Sequence, residues 1–106
     1  MVIVSTDHVP GRGIARTVGE CFGLVVCARN LGVDYGADFR AIIGGEVKAV
    51  THMLTSARQE AIARLSSNAR RRGADAVVGF RFETTEYQGV GVEVCAYGTA
   101  VVLERE

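Results

Sequence analysis

The sequence predicts a small α+β domain, an antiparallel sheet packed on one long helix in the order β-β-α-α-β-β. Three observations carry that class. Residues 14–29 and 74–103 are rich in apolar residues with strand-like alternation. The stretch between them repeats apolar residues every three or four positions. Turn chemistry falls at the joints, as an α+β domain requires.

Val2–Ser5 (VIVS) reads as a short strand, followed by a turn punctuated by Pro10-Gly11. From Ile14 to Arg29 the first half alternates, with Ile14, Val18 and Phe22 sharing a parity with Arg16 and Glu20. Phe22–Ala28 is apolar at both parities. This is a strand half-exposed at one end and buried on both faces at the other. The run 30–34 breaks it. Tyr35, Phe39, Ile42 and Ile43 then mark one face of a short helix, with Asp34 as N-cap and Gly44-Gly45 as stop. A longer helix runs to about Arg72 on the stripe Val47, Val50, Leu54, Ala57, Ala61, Leu65 and Ala69, with Ile62 on its flank. Gly73 follows Arg70-Arg71-Arg72 at the place of a C′ glycine. Ala74–Thr85 alternates Ala76, Val78, Phe80 and Phe82 against Val77, Gly79, Arg81 and Glu83. A hairpin-type loop at 87–91 leads into the last strand, Val92–Leu103.

At 106 residues the chain reads as a single domain over 1–106, and 48% apolar content excludes a disordered tail. Twelve basic residues balance twelve acidic ones, which argues against an electrostatic nucleic-acid partner. No stretch approaches the ~20 apolar residues of a membrane span. Met1–Pro10 lacks the basic start of a secretory signal. Three cysteines with no CxxC pair fit free thiols in a reducing compartment, so the expected location is the cytoplasm.

One helix covers one face of one sheet. In the last strand Val92, Val94, Ala96, Ala100 and Val102 point one way, while Cys95, Tyr97, Val101 and Leu103 point the other. Soluble monomers rarely leave a large apolar face exposed. Burial against copies of the same chain, in a symmetric homo-oligomer, is the expected solution.

Several segments together resemble the YbjQ-like family of small, uncharacterised proteins labelled as heavy-metal-binding domains. They are Val9-Pro10-Gly11, Gly44-Gly45-Glu46-Val47-Lys48, Ala57-Arg58, the run 73–79 (GADAVVG) and the run 96–102 (AYGTAVV). The resemblance extends from about Val2 to Leu103. It implies an α+β protomer that assembles with itself into a ring, a homopentamer, and it implies no catalytic residues.

The metal label is tested against the residues themselves. Cys21 and Cys27 share a strand parity, but six extended residues separate them by ~20 Å. Zinc–thiolate bonds are ~2.3 Å long, so these two cannot share an ion on a regular strand. Cys95 could lie beside one of them, which makes Cys27 and Cys95 the candidate metal pair. The other route is one residue repeated around an oligomer axis. His52 falls on the solvent side of the long helix, His8 sits in the first loop beside Asp7, and no HxH or HExxH spacing occurs. A metal ion is thus the one cofactor candidate, and its identity is open.

Other signals favour bland readings. Gly45 precedes a helix N-terminus, a ready anion site, but a helix–helix corner explains it. Arginines 70–72 complement the helix dipole. Glu83, Glu86 and Glu93 read as a solvated hairpin tip, and no Ser/His/Asp grouping occurs, so the sequence points away from an enzyme. Arg58 is different. It falls within the apolar stripe, so it is expected as a buried charge held by a carboxylate, with Glu20, Glu83 and Glu93 as candidates. Two functional readings follow: a ring-forming homo-oligomer holding a small ligand or metal ion between subunits, or a scaffold whose function is its assembly.

Overall fold

The structure, a computed structural model, describes residues 1–28, 48–87, 89 and 91–105. The expected short helix with its Asp34 cap, the Gly44-Gly45 corner and Val47 lie outside them. Within them the order is β1 (Val2–Ile3), β2 (Ile14–Ala28), α1 (Lys48–Arg71), β3 (Ala76–Tyr87) and β4 (Gly91–Leu103). The four strands form one sheet in the order β1-β3-β4-β2. No helix among the described residues is long and apolar enough to cross a membrane.

The sheet is mixed, not wholly antiparallel. β2–β4 and β3–β4 are antiparallel, whereas β1 runs parallel to β3 with Val2 opposite Ala76 and Ile3 opposite Val77. A two-residue strand carries no periodicity that could reveal its direction. What fixes it is the backbone: Val4 N–H donates to Val77 O (2.9 Å), Gly79 N–H to Thr6 O (2.7 Å) and Phe80 N–H to Val4 O (3.0 Å).

Helix α1 lies across β2 and β4. The predicted stripe is correct over its C-terminal half, where Ala57, Ala61, Leu65 and Ala69 are buried, while Leu54 is exposed. At the contact, a Cβ on Gly23 would stand 2.1 Å from Ala61 O and 2.5 Å from Leu65 N. Glycine is what lets helix and strand backbones approach so closely. The helix ends as expected. Gly73 adopts φ 84° and donates to Arg70 O (3.0 Å), and Ala74 N–H donates to Ala69 O (3.0 Å). These bonds satisfy carbonyls that a helix end leaves orphaned.

The core has two parts. Under the helix sit Cys21, Ala57, Ala61, Leu65, Ala69, Ala74, Val77, Val94, Ala96 and Ala100. A second cluster of Val9, Ala76, Val78, Val101 and Leu103, with Val4 and Ile14 against it, lies on the opposite face. The N-terminal segment therefore covers part of the second face, and Val101 is buried within one chain. Simple parity misplaces several residues because the strands are bulged. Register shifts fall between Ile14 and Arg16, between Thr17 and Gly19, and between Val78 and Arg81. Val18 consequently packs with the helix-side cluster and Ile14 with the other. Gly79, at φ 63°, lets β3 turn Ala76 and Val78 to one face and Phe80 and Phe82 to the other.

Candidate functional site

Cross-strand partners share a face of a sheet, so the register sorts the remaining side chains. Cys21, Gly23, Val25 and Cys27 lie opposite Gly98, Ala96, Val94 and Val92, all on the helix side. Phe22, Leu24 and Val26 lie opposite Tyr97, Cys95 and Glu93, on the far side. From β3, Arg81, Glu83 and Thr85 join that far face opposite Tyr97, Cys95 and Glu93. The N-terminal segment meets this region at Arg81, whose Nη1 donates to Ser5 O (2.9 Å). Phe22 and Val26 are each 51% exposed, Tyr87 is 50% exposed, and Leu24 is exposed as well. The result is an apolar row of Phe22, Leu24 and Val26 along the outer strand, with the carboxylates of Glu20, Glu83 and Glu93 on the same face. One of these is held, since Tyr87 Oη donates to Glu93 Oε2 (3.0 Å). That bond and the negative charge of Glu93 raise the Tyr87 pKa. The Cα radius of gyration, 17.0 Å, exceeds the ~13 Å of a compact 100-residue domain.

The candidate metal pair is not assembled. Cys27 is opposite Val92 on the helix side, whereas Cys95 is opposite Leu24 and Glu83 on the far side. The sheet itself stands between them. Cysteines 21, 27 and 95 are all free. Burial pushes the Cys95 thiol pKa up, and the charges of Glu93, Glu83 and Glu20 add to it. Burial likewise raises that of Cys21, with Arg72 opposing and Glu20 reinforcing. A ligating thiol must lose its proton, and both environments oppose that. Among the described residues no group of three His, Cys, Asp or Glu side chains could hold a metal ion. The donors of one chain, as far as they are described, do not fit the metal label.

Arg58 also departs from expectation. It is exposed in the single chain, and no carboxylate among the described residues pairs with it. Its guanidinium carbon sits 4.2 Å from the centroid of the Phe82 ring, which in turn meets Phe80 edge-on at 4.9 Å. The helix lies mainly on β2 and β4, and Phe80 and Phe82 are partly buried against its core, so the arginine extends over an aromatic face. His8 and Asp7 form an exposed pair at 2.8 Å, and His52 is exposed as expected.

Two arginines do more than the sequence shows: Arg64 is not singled out there, and Arg72 reads only as complementing the helix dipole. Arg64 Nη1 donates to Leu24 O (2.6 Å) while its Nε holds Glu60 (3.2 Å). Arg72 donates to the carbonyls of Glu20 and Val18. Their spacing of eight, two helical turns, was the available signal, but a residue that bonds backbone leaves no partner to find in the sequence.

One helix layered on a mixed four-stranded sheet, with a partly bare apolar face, defines a class of small α+β proteins. The chain belongs to the YbjQ family, described as "putative heavy-metal-binding", which residues 1–104 match. A UPF0145 protein from Mycobacteroides abscessus is 54% identical over 104 residues, covering 98% of this chain and 97% of its own length. One from Streptomyces coelicolor is 48% identical over 106 residues, the full length of both. One from Thermotoga maritima is 43% identical over 105 residues, 99% of each. The fold is similar to that of a crystallised protein of unknown function, of the DUF74 family, from Pediococcus pentosaceus. That match has a TM-score of 0.58 at 18% identity and covers 98% of each chain.

Proposed function

We propose that this protein acts as a homo-oligomer whose subunits meet through the far face of the sheet, with a small ligand or ion, where one is bound, held between subunits. The observation that carries the reading is the exposed row Phe22, Leu24 and Val26 on β2. Full burial from full exposure contributes roughly 1.5–3 kcal/mol per side chain, and these, about half exposed, have roughly half of that left to gain. A ring of five chains is the form supported by the family resemblance, and the three free thiols suit a cytoplasmic setting. Phe22→Glu tests the interface, because the site is exposed in one chain and a charge there costs little without a partner. Light scattering should give a multiple of 11.3 kDa for the parent and a smaller species for the variant. A parent that runs at 11.3 kDa at micromolar concentration overturns the proposal.

The scaffold reading has its own support, since Cys27 and Cys95 lie on opposite faces and the thiols of Cys21 and Cys95 resist deprotonation. A thermal-shift screen separates the two. A ligand that binds only the folded assembly raises its melting temperature by mass action. Metals and metabolites that leave the melting point unmoved favour the scaffold.

A further inference from the structure

Strand β2 is an edge strand of fifteen residues with exposed apolar side chains. Such an edge is a template for adding a strand from another chain, which leads to open-ended aggregation. Its outward carbonyls need partners, and three of them have one. Arg64 donates to Leu24 O, and Arg72 donates to Glu20 O and Val18 O. Both arginines come from α1, eight residues apart, and reach the same edge. Arg64 is further held by Glu60 one turn earlier. Gly19 makes room for the other, since a Cβ there would stand 3.0 Å from Arg72 Nη2.

We infer that Arg64 and Arg72 guard the β2 edge, occupying the carbonyls an incoming strand would use, so that copies of the chain cannot join edge to edge. The guard concerns the strand edge and not the sheet face, and it holds whether the protein is monomeric or oligomeric. A strand docking on Val18–Leu24 would have to displace two guanidiniums and find donors for the same oxygens. Charge adds to the steric effect, because an incoming apolar strand would leave two cations desolvated.

The test compares three double variants of the full chain. Arg64→Ala with Arg72→Ala removes the carbonyl donors. Arg70→Ala with Arg71→Ala removes the same charge from exposed neighbours that hold no strand carbonyl. Arg64→Lys with Arg72→Lys keeps a donor at each position. Light scattering against concentration and the fluorescence of a cross-β dye are read on each, with far-UV dichroism to confirm folding. The first variant should form dye-positive species at concentrations at least tenfold below the parent, and the other two should behave as the parent does. The same behaviour in the first variant and the parent overturns the inference, as does equal aggregation in the first two variants, which would assign the effect to charge. If the double alanine variant does not fold, Arg72→Ala alone is read in the same way against Arg71→Ala. Size of the parent tests the homo-oligomer proposal separately, so failure of one does not imply failure of the other.

Discussion

Gly23→Ala is the sharpest perturbation the fold offers. The new methyl would meet Ala61 O at 2.1 Å, Leu65 N at 2.5 Å and Arg64 Cβ at 3.0 Å. The first two atoms are backbone in mid-helix and cannot rotate away. Real Cβ atoms essentially never approach closer than 3.0 Å, so helix and strand must separate by close to 1 Å, the difference between 2.1 and 3.0 Å. A gap of that size forfeits a quarter to a half of the dispersion attraction across it. The residues affected are the buried ones, Cys21, Ala57, Ala61, Leu65 and Ala69. Overpacking of this kind costs about 1–3 kcal/mol, and a rigid backbone neighbour puts it at the upper end, about 3 kcal/mol. At about 4–8 °C per kcal/mol for a domain of this size, the melting temperature should fall by roughly 12–24 °C. Calorimetry at one fixed protein concentration is the assay, because association shifts the midpoint. Gly11→Ala is the control. Gly11 has φ 81° but open space around its Cβ position. Its cost is therefore backbone strain alone, about 1–2 kcal/mol. A Gly23→Ala midpoint within about 2 °C of the parent, or above that of Gly11→Ala, would refute the close packing of α1 on β2.

Alkaline pH should destabilise the protein through its thiols. Cys21 and Cys95 have folded pKa values raised above the ordinary thiol range. Their stabilising contribution is whole below that range and is lost as pH rises through the raised values. Urea midpoints should fall from pH 8 to 10, and less steeply in Cys95→Ala; parallel pH dependences would contradict this. Asp7 titrates below the usual carboxylate range because the His8 ring bonds it and carries charge. In His8→Ala its carboxyl resonance should move toward ordinary behaviour by NMR, and an unchanged titration would remove the pair as the cause. Cys27→Val, on the helix side and partly buried, should cost at most about 1 kcal/mol by urea unfolding. It should also leave the assembly size by light scattering unchanged.

Periodicity served well where one period governs a whole element. The α1 stripe through Ala57, Ala61, Leu65 and Ala69, the Gly73 stop and the β3–β4 hairpin were all legible. It failed where one glycine changes the count. Gly19 and Gly79, both at positive φ, sit in bulged regions, so Val18 faces away from Ile14 although the two share a parity, and Phe80 and Phe82 face away from Ala76 and Val78. Strand direction in β1 was invisible because two residues hold no pattern. Of the candidate site, the exposed apolar face could be read from two-sided hydrophobicity. Its extent could not, because the N-terminal segment covers Val101 and Leu103 only in three dimensions. The cysteine pair failed on register, since whether two residues on neighbouring strands share a face depends on a single residue of offset. Arg58 failed on coverage: it falls within the angular range of the buried stripe, but what it meets is the partly buried Phe82 ring and not a closed core, so it stays exposed.

The start of β2 and the end of β4 are stitched to each other. Arg12 donates to Glu104 O (2.9 Å), Glu104 N–H donates to Gly13 O (2.8 Å), and Ile14 pairs with Leu103. The β2–β4 ladder then runs on to Ala28 opposite Gly91, twelve residues further along β4. At ~3.3 Å per residue that is about 40 Å of sheet. Val2 lies at the stitched pole of the molecule, opposite Ala76, which is itself opposite Val101, so an affinity tag, a fluorophore or a fused partner attached at either end would sit there. Phe22 lies midway along the ladder, opposite Tyr97, and Leu24 and Val26 lie progressively toward the other pole. Labels for watching the chains associate can be placed at the termini without standing in the way of Leu24 and Val26.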